Sequence, residues 1–270
     1  MRVKTKLPYT AMMERYHEIE RKSRAQRLTI AKELATDPSP LIGDFLSSVQ
    51  QWALNYSNVK TPFVPKPRAS LELSPEESIK NTNALVARLQ RPKRPIEVVD
   101  KSKLSFRYVE REVSIVRTAN AEFRSKEPLQ RKRSAGRALL CDLLLRNAHD
   151  RTPIVGEIKV THKQYTDKDP CSALVQALAS AAHLVTPSQY ERLLWHYPRQ
   201  FRTDSRVVDI YVVTGSYNSE LTDMRELLAA ARAIGRSVVA SGELRPYVRR
   251  IEFVDVTPAG RGVTVRTRFR

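Results

Sequence analysis

Asp142 stands inside Leu139–Leu145, a run in which every other residue is apolar or carries sulfur. Burying a carboxylate in such a segment is costly unless something compensates its charge. A metal ion is one compensation, and an ion pair with an arginine is another. A second chemically loaded segment follows, Ile154-Val155-Gly156-Glu157-Ile158-Lys159-Val160. Side chains alternate across a strand, so Val155, Glu157 and Lys159 share one face while Ile154, Ile158 and Val160 turn toward a core. If residues 147–152 close a symmetric hairpin, Arg146 faces Pro153 and Asp142 faces Glu157.

Two carboxylates directly opposite each other repel. A hard divalent cation between them relieves the repulsion, and oxygen ligands suit Mg²⁺ or Mn²⁺. The expected ligands are Asp142, Glu157 and the Ile158 carbonyl. An ion there would acidify a bound water and neutralise charge building on a phosphate. Lys159 would orient that water or stabilise the transition state. The reaction class is phosphodiester hydrolysis.

Other chemistries find less support. His17, His149, His162, His183 and His196 show no HxH or HxxxH spacing, and Cys141 and Cys171 form no CxxC, so a zinc site is not expected. The two cysteines lie in apolar stretches and read as reduced core residues, which suits a cytoplasmic protein. There is no GxxxxGK[ST] and no GxGxxG, which disfavours an ATPase or dinucleotide enzyme. No long apolar run predicts a membrane span, and MRVKTKLPYT lacks the apolar stretch of a secretory signal. The formal charge is +18, with 47 basic against 29 acidic residues. Such an excess favours polyanionic partners, nucleic acid first. The excess is densest in residues 101–150, where Arg131, Lys132, Arg133 and Arg137 stand just upstream of Asp142 as candidate nucleic-acid contacts. A solvated loop is the plainer reading of that run. Arg266, Arg268 and Arg270 alternate with Val265, Thr267 and Phe269 at the C-terminal end, as a phosphate-tracking face or a charged edge strand would.

The elements that would position these groups are legible in outline. Residues 1–100 read as a basic helical accessory region. One helix runs from Met12 to Leu34, a second from about Leu41 to Asn55, and a third from Ser74-Pro75 to about Gln90, with proline-rich connectors. Residues 101–270 read as a second domain. Leu104–Glu112 suits a helix end and Val113–Thr118 a short strand. Arg137–Arg146 and Ile154–Val160 are strands, and Asp169-Pro170 opens a helix to about residue 185. Arg206–Thr214 is a buried strand, residues 219–234 an amphipathic helix, and two more strands flank Thr257–Arg261. This order fits an α/β (α+β) domain with a central mixed sheet flanked by helices.

Ala138–Leu145, a short loop, Ile154–Val160 and then a helix carrying Gln176 together resemble the PD-(D/E)xK nuclease superfamily. The resemblance spans roughly residues 104–215. It implies a restriction-endonuclease-like core in which Asp142, Glu157 and Lys159 occupy the family's catalytic positions. Gln176 matches a glutamine that RecB-like members carry, with Ser180 and His183 along the same helical stripe. The family's glutamate on a helix before the first strand falls to Glu112, with Glu110 next. Cys141 stands where proline often precedes the aspartate, and Ser180 where RecB-like members often have an aromatic. The resemblance implies a Mg²⁺-dependent endonuclease, with DNA favoured over RNA and a homodimer among the assemblies it allows. The alternative is a catalytically inactive nuclease fold serving as a nucleic-acid-binding or protein-interaction module, with a basic protein docking an anionic surface as a third reading.

Overall fold

The computed structural model describes residues 10–55, 77–101, 103–114, 140–160, 169–215 and 222–267. Four helices come first: α1 (Ala11–Glu20), α2 (Arg24–Thr36), α3 (Ser39–Asn55) and α4 (Glu77–Gln90). Strands β1 (Ile96–Glu97), β2 (Ser105–Ser114), β3 (Leu140–Asn147) and β4 (Pro153–Val160) follow. Helices α5 (Pro170–Leu184) and α6 (Pro187–His196) lead to β5 (Val208–Gly215), and α7 (Thr222–Ala240) leads to β6 (Val248–Ala259) and β7 (Gly262–Thr267).

The seven strands form one mixed sheet in sequence order. The pairs from β1 to β4 are antiparallel, β4, β5 and β6 run parallel, and β7 returns antiparallel to β6. Parallel strands need long crossovers, which α5–α6 and α7 supply. Every side chain of β5 is buried, as a central strand covered on both faces requires. Val98, just past β1, bridges to Val265 of β7, so the two ends of the sheet meet.

Two apolar cores result. One face of the sheet contributes Leu144, Val155, Ile210 and Val212 to a core shared with Met12, Met13, Phe45, Leu174 and Leu227. The other contributes Leu145, Ile154, Ile158 and Val213, covered by Leu85, Val86 and Leu89 of α4. The helices of the first hundred residues are thus built into both cores.

Several local features differ from the sequence expectation. The single helix expected over Met12–Leu34 is broken, because Ser23 forms a capping box with Gln26 and starts α2 afresh. Residues 105–114 are a strand, not a helix end, because they pair along β3 with a register shift between Tyr108 and Glu110. Glu112 therefore lies on a strand, not on a preceding helix. Helix α6, with Thr186 at its N-cap position and proline in its first turn, was not expected at all. Asp169 caps α5 as expected, accepting from the Ser172 amide at 2.8 Å. No helix among the described residues is long and apolar enough to cross a membrane.

Candidate active site

The β3–β4 hairpin has the expected register at its closed end. Arg146 faces Pro153 and Leu143 faces Gly156. Gly156 is required by that approach, since a Cβ there would lie 2.9 Å from the Leu143 Cβ. Regular pairing ends at this point. The Cys141 Sγ turns back to within 3.0 Å of the Leu143 carbonyl, and Asp142 meets its neighbours through side chains. Its Oδ2 accepts from the Ile158 amide at 3.2 Å, and its own amide donates to Glu157 Oε1 at 3.5 Å. Asp142 and Glu157 are therefore brought together, by side-chain bonding across the hairpin instead of a simple opposed pair.

Lys159 joins them. Its ammonium lies 3.6 Å from Asp142 Oδ2 and 3.4 Å from Glu157 Oε2. It also donates to Gln176 Oε1 at 3.1 Å. Four residues singled out from the sequence thus converge from β3, β4 and α5. Asp142 is part-exposed and not buried as expected, and the cation beside it in this structure is Lys159, where an arginine was the alternative to a metal.

Exposure is graded across the cluster. The Asp142 side chain is 26% exposed, Lys159 10% and Glu157 0%, so solvent reaches the site from the aspartate side. Burial, then the neighbouring Asp142 charge, pushes the Glu157 carboxyl well above its usual range despite Lys159. Burial opposes the Lys159 charge, but Asp142, Glu157 and Tyr16 outweigh it and hold the ammonium above its ordinary value. The face expected to be open and polar is covered, because α1 packs on α5 beside it.

That cover brings in Tyr16, which sequence reasoning missed. Its hydroxyl donates to Glu20 Oε1 at 3.1 Å. Burial raises the phenol's pKa, and the charges of Lys159 and Glu157 act on it as well. The i,i+4 spacing of Tyr16 and Glu20 was visible, but nothing local linked that helix to a strand more than a hundred residues away.

The remaining candidates separate. Ser180 is fully buried. His183 is fully buried and bonds through Nε2 to the Thr10 hydroxyl at 3.0 Å, anchoring the start of α1. His149 Nε2 lies 3.1 Å from the Ser105 hydroxyl, in the hairpin turn. Arg131, Lys132, Arg133, Arg137, His162, Arg268 and Arg270 lie outside the described residues, as does the side chain of Glu112. Cys141 and Cys171 are free and buried.

Among the described residues, no group of three or more His, Cys, Asp and Glu side chains is gathered to hold a metal. The site has two carboxylates, and the raised Glu157 pKa marks a position that a cation would stabilise in ionised form. An all-oxygen donor set of this kind suits a hard divalent ion, and Asp142 and Glu157 are the side chains that could hold one. Ile158 uses its amide on Asp142, while its side chain points into the α4-covered core. Compared with family models, with curated proteins and with solved structures, the chain matches none.

Proposed function

We propose that this protein is a metal-dependent nuclease that hydrolyses phosphodiester bonds, with DNA the favoured substrate and a restriction-endonuclease-like arrangement of the sheet. One observation carries the reading: Asp142, Glu157, Lys159 and Gln176 converge within hydrogen-bonding and ion-pair distance. Asp142 and Glu157 would hold Mg²⁺ or Mn²⁺, with the Ile158 carbonyl as a further ligand. The ion would supply Lewis-acid stabilisation of phosphate charge and a more acidic water. Lys159 would hold its proton and lend positive charge to the phosphoryl oxygens. Gln176 orients Lys159 by accepting from its ammonium. Glu112 remains a candidate contributor through its position on β2. The reading carries with it a cytoplasmic location and a homodimer as one assembly.

A second reading has an observation of its own. Glu157 is fully buried and already paired with Lys159, as in a self-satisfied structural cluster. It corresponds to an inactive nuclease fold that binds nucleic acid or a protein. Cleavage of supercoiled plasmid, linear duplex, single-stranded DNA and RNA, with Mg²⁺, Mn²⁺ or EDTA, separates the two. Metal-dependent cleavage lost in Glu157→Gln supports the nuclease. Binding without cleavage by both proteins favours the second reading.

A further inference from the structure

The β3–β4 turn meets the loop after α6 at a cavity of about 530 Å³ lined by Arg151, Leu194, Arg199, Phe201, Arg202 and Asp204, among others. The two loops are tied together. The Arg202 amide donates to the Arg151 carbonyl at 3.1 Å, and the Arg146 guanidinium donates to the Gln200 carbonyl at 3.3 Å. The Tyr190 hydroxyl donates to the Arg202 carbonyl at 3.0 Å.

Arg151 and Arg199 have φ of 60° and 63°, the non-glycine residues among those described with positive φ. Asparagine or glycine would adopt that backbone at lower cost, so the turn geometry does not explain two arginines there. Arg107 and Arg146 are direct cross-strand partners on β2 and β3. Like charges so placed are unfavourable. Burial first, then Arg107 and Arg151, lowers the pKa of the Arg146 guanidinium. The nearby acids are already engaged: Asp204 makes two 2.7 Å bonds to Arg202, and Asp150 pairs with Arg249. Arg151 and Arg199 have no acidic partner among the described residues.

Arg151 and Arg199, guanidinium groups without acidic partners on one concavity, are suited to an anion, and their forked donors match phosphate oxygens. We propose that this arginine-lined cavity is a phosphate-binding subsite that holds the backbone of a nucleic acid at a distance from the Asp142–Glu157–Lys159 cluster. The assignment of nucleic acid as the ligand rests on the nuclease reading. Arg146 lies four residues from Asp142 along β3, or ~13 Å at about 3.3 Å per residue. That is about four base steps of a duplex at ~3.4 Å each. The strand that carries Asp142 thus leads toward the loop that Arg146 ties down at Gln200.

The test uses full-length Glu157→Gln protein in EDTA, so that binding is read without cleavage. Affinity for a fluorescent DNA duplex is measured across a salt series. Arg151→Asn with Arg199→Asn removes both charges while suiting the left-handed backbone. Lys32→Gln with Arg236→Gln removes two charges from the outer helical layer as a control. Arg151→Lys with Arg199→Lys keeps the charge. The asparagine pair is expected to lose at least roughly tenfold in affinity and to flatten the salt dependence by about two phosphate contacts. The control should match the parent, and the lysine pair should keep the salt slope, which separates lost charge from misfolding. Equal binding by the asparagine pair and the parent, or an equal loss in the control, overturns the subsite while metal-dependent cleavage still stands or falls on its own assay. A parent that ignores DNA but binds phosphatidylserine vesicles overturns the assigned ligand.

Discussion

At the scale of single residues, the site is an electrostatic balance between two carboxylates and one ammonium. Lys159 is the only cation within ion-pair distance of both Asp142 and Glu157 among the described residues. Removing one member of a buried ion cluster leaves the others uncompensated, at a cost of about 3–5 kcal/mol. Lys159→Met is therefore expected to lower the melting temperature markedly in EDTA. Mg²⁺ should restore part of the loss, because a bound cation replaces the missing charge; thermal melts with and without the ion measure both effects. Glu157→Gln should reduce cleavage by roughly three orders of magnitude or more, as expected for a group acting in the transition state. Single-turnover cleavage with saturating Mg²⁺ is the measurement, and retained activity would end the proposed role of Glu157. His183 gives a separate prediction in pH. Burial lowers its pKa from 6.5 to about 4, so the folded protein keeps the ring neutral while the unfolded chain protonates it. Its contribution is present above the unfolded value and is lost as pH falls from 6.5 toward 4, by up to roughly 3 kcal/mol. Melting temperatures across that range should fall less steeply in His183→Gln than in the parent.

At the scale of elements, the β3–β4 hairpin decides how the site is built. A symmetric hairpin closed by residues 147–152 was enough to give the register at the turn, which the Arg146–Pro153 pair bears out. It was not enough to show where that register ends. The departure at Asp142 comes from side-chain bonding to Glu157 and Ile158, which no local period encodes. The same limit applies to β2. Its charged, mixed sequence has neither a clean helical nor a clean strand period, and its state is set by pairing to β3. Helix α6 had a readable start in Thr186-Pro187, but it is short, and its buried face includes the polar Gln189 and Arg192. Gly156 tests the hairpin directly. Its missing Cβ would lie 2.9 Å from another Cβ, so the β3 and β4 backbones must separate to admit a methyl group. Gly156→Ala is expected to destabilise the fold by about 1–3 kcal/mol, the usual cost of overpacking. Urea denaturation should show a lower midpoint at an unchanged slope.

At the scale of the whole molecule, the question is whether the first hundred residues are an accessory to the sheet or part of what makes it fold. Composition and connectors suggested a boundary near residue 100, since proline-rich segments separate the early helices from the strands. The packing gives those helices a larger part. Met12, Met13 and Phe45 are buried in the same core as Val155, Leu174 and Ile210, and Leu85, Val86 and Leu89 of α4 cover the opposite face. Arg27 of α2 lies 3.2 Å from Asp169, the residue that caps α5, with both side chains nearly inaccessible. Removing residues 1–100 would therefore expose apolar surface on both faces of the sheet and strand a buried carboxylate at the start of the helix that carries Gln176. A fragment of residues 101–270 is expected to lack a cooperative thermal transition, whereas the full chain melts in one step. Differential scanning calorimetry of the two proteins measures this. If the fragment melts cooperatively and retains near-parental stability, the sheet and its flanking helices form a unit by themselves, and the cover that α1 gives to Lys159 is an addition to a complete domain. If it does not, α1 is part of the active-site architecture, and the burial of Glu157 depends on a helix that begins well over a hundred residues before it in the chain.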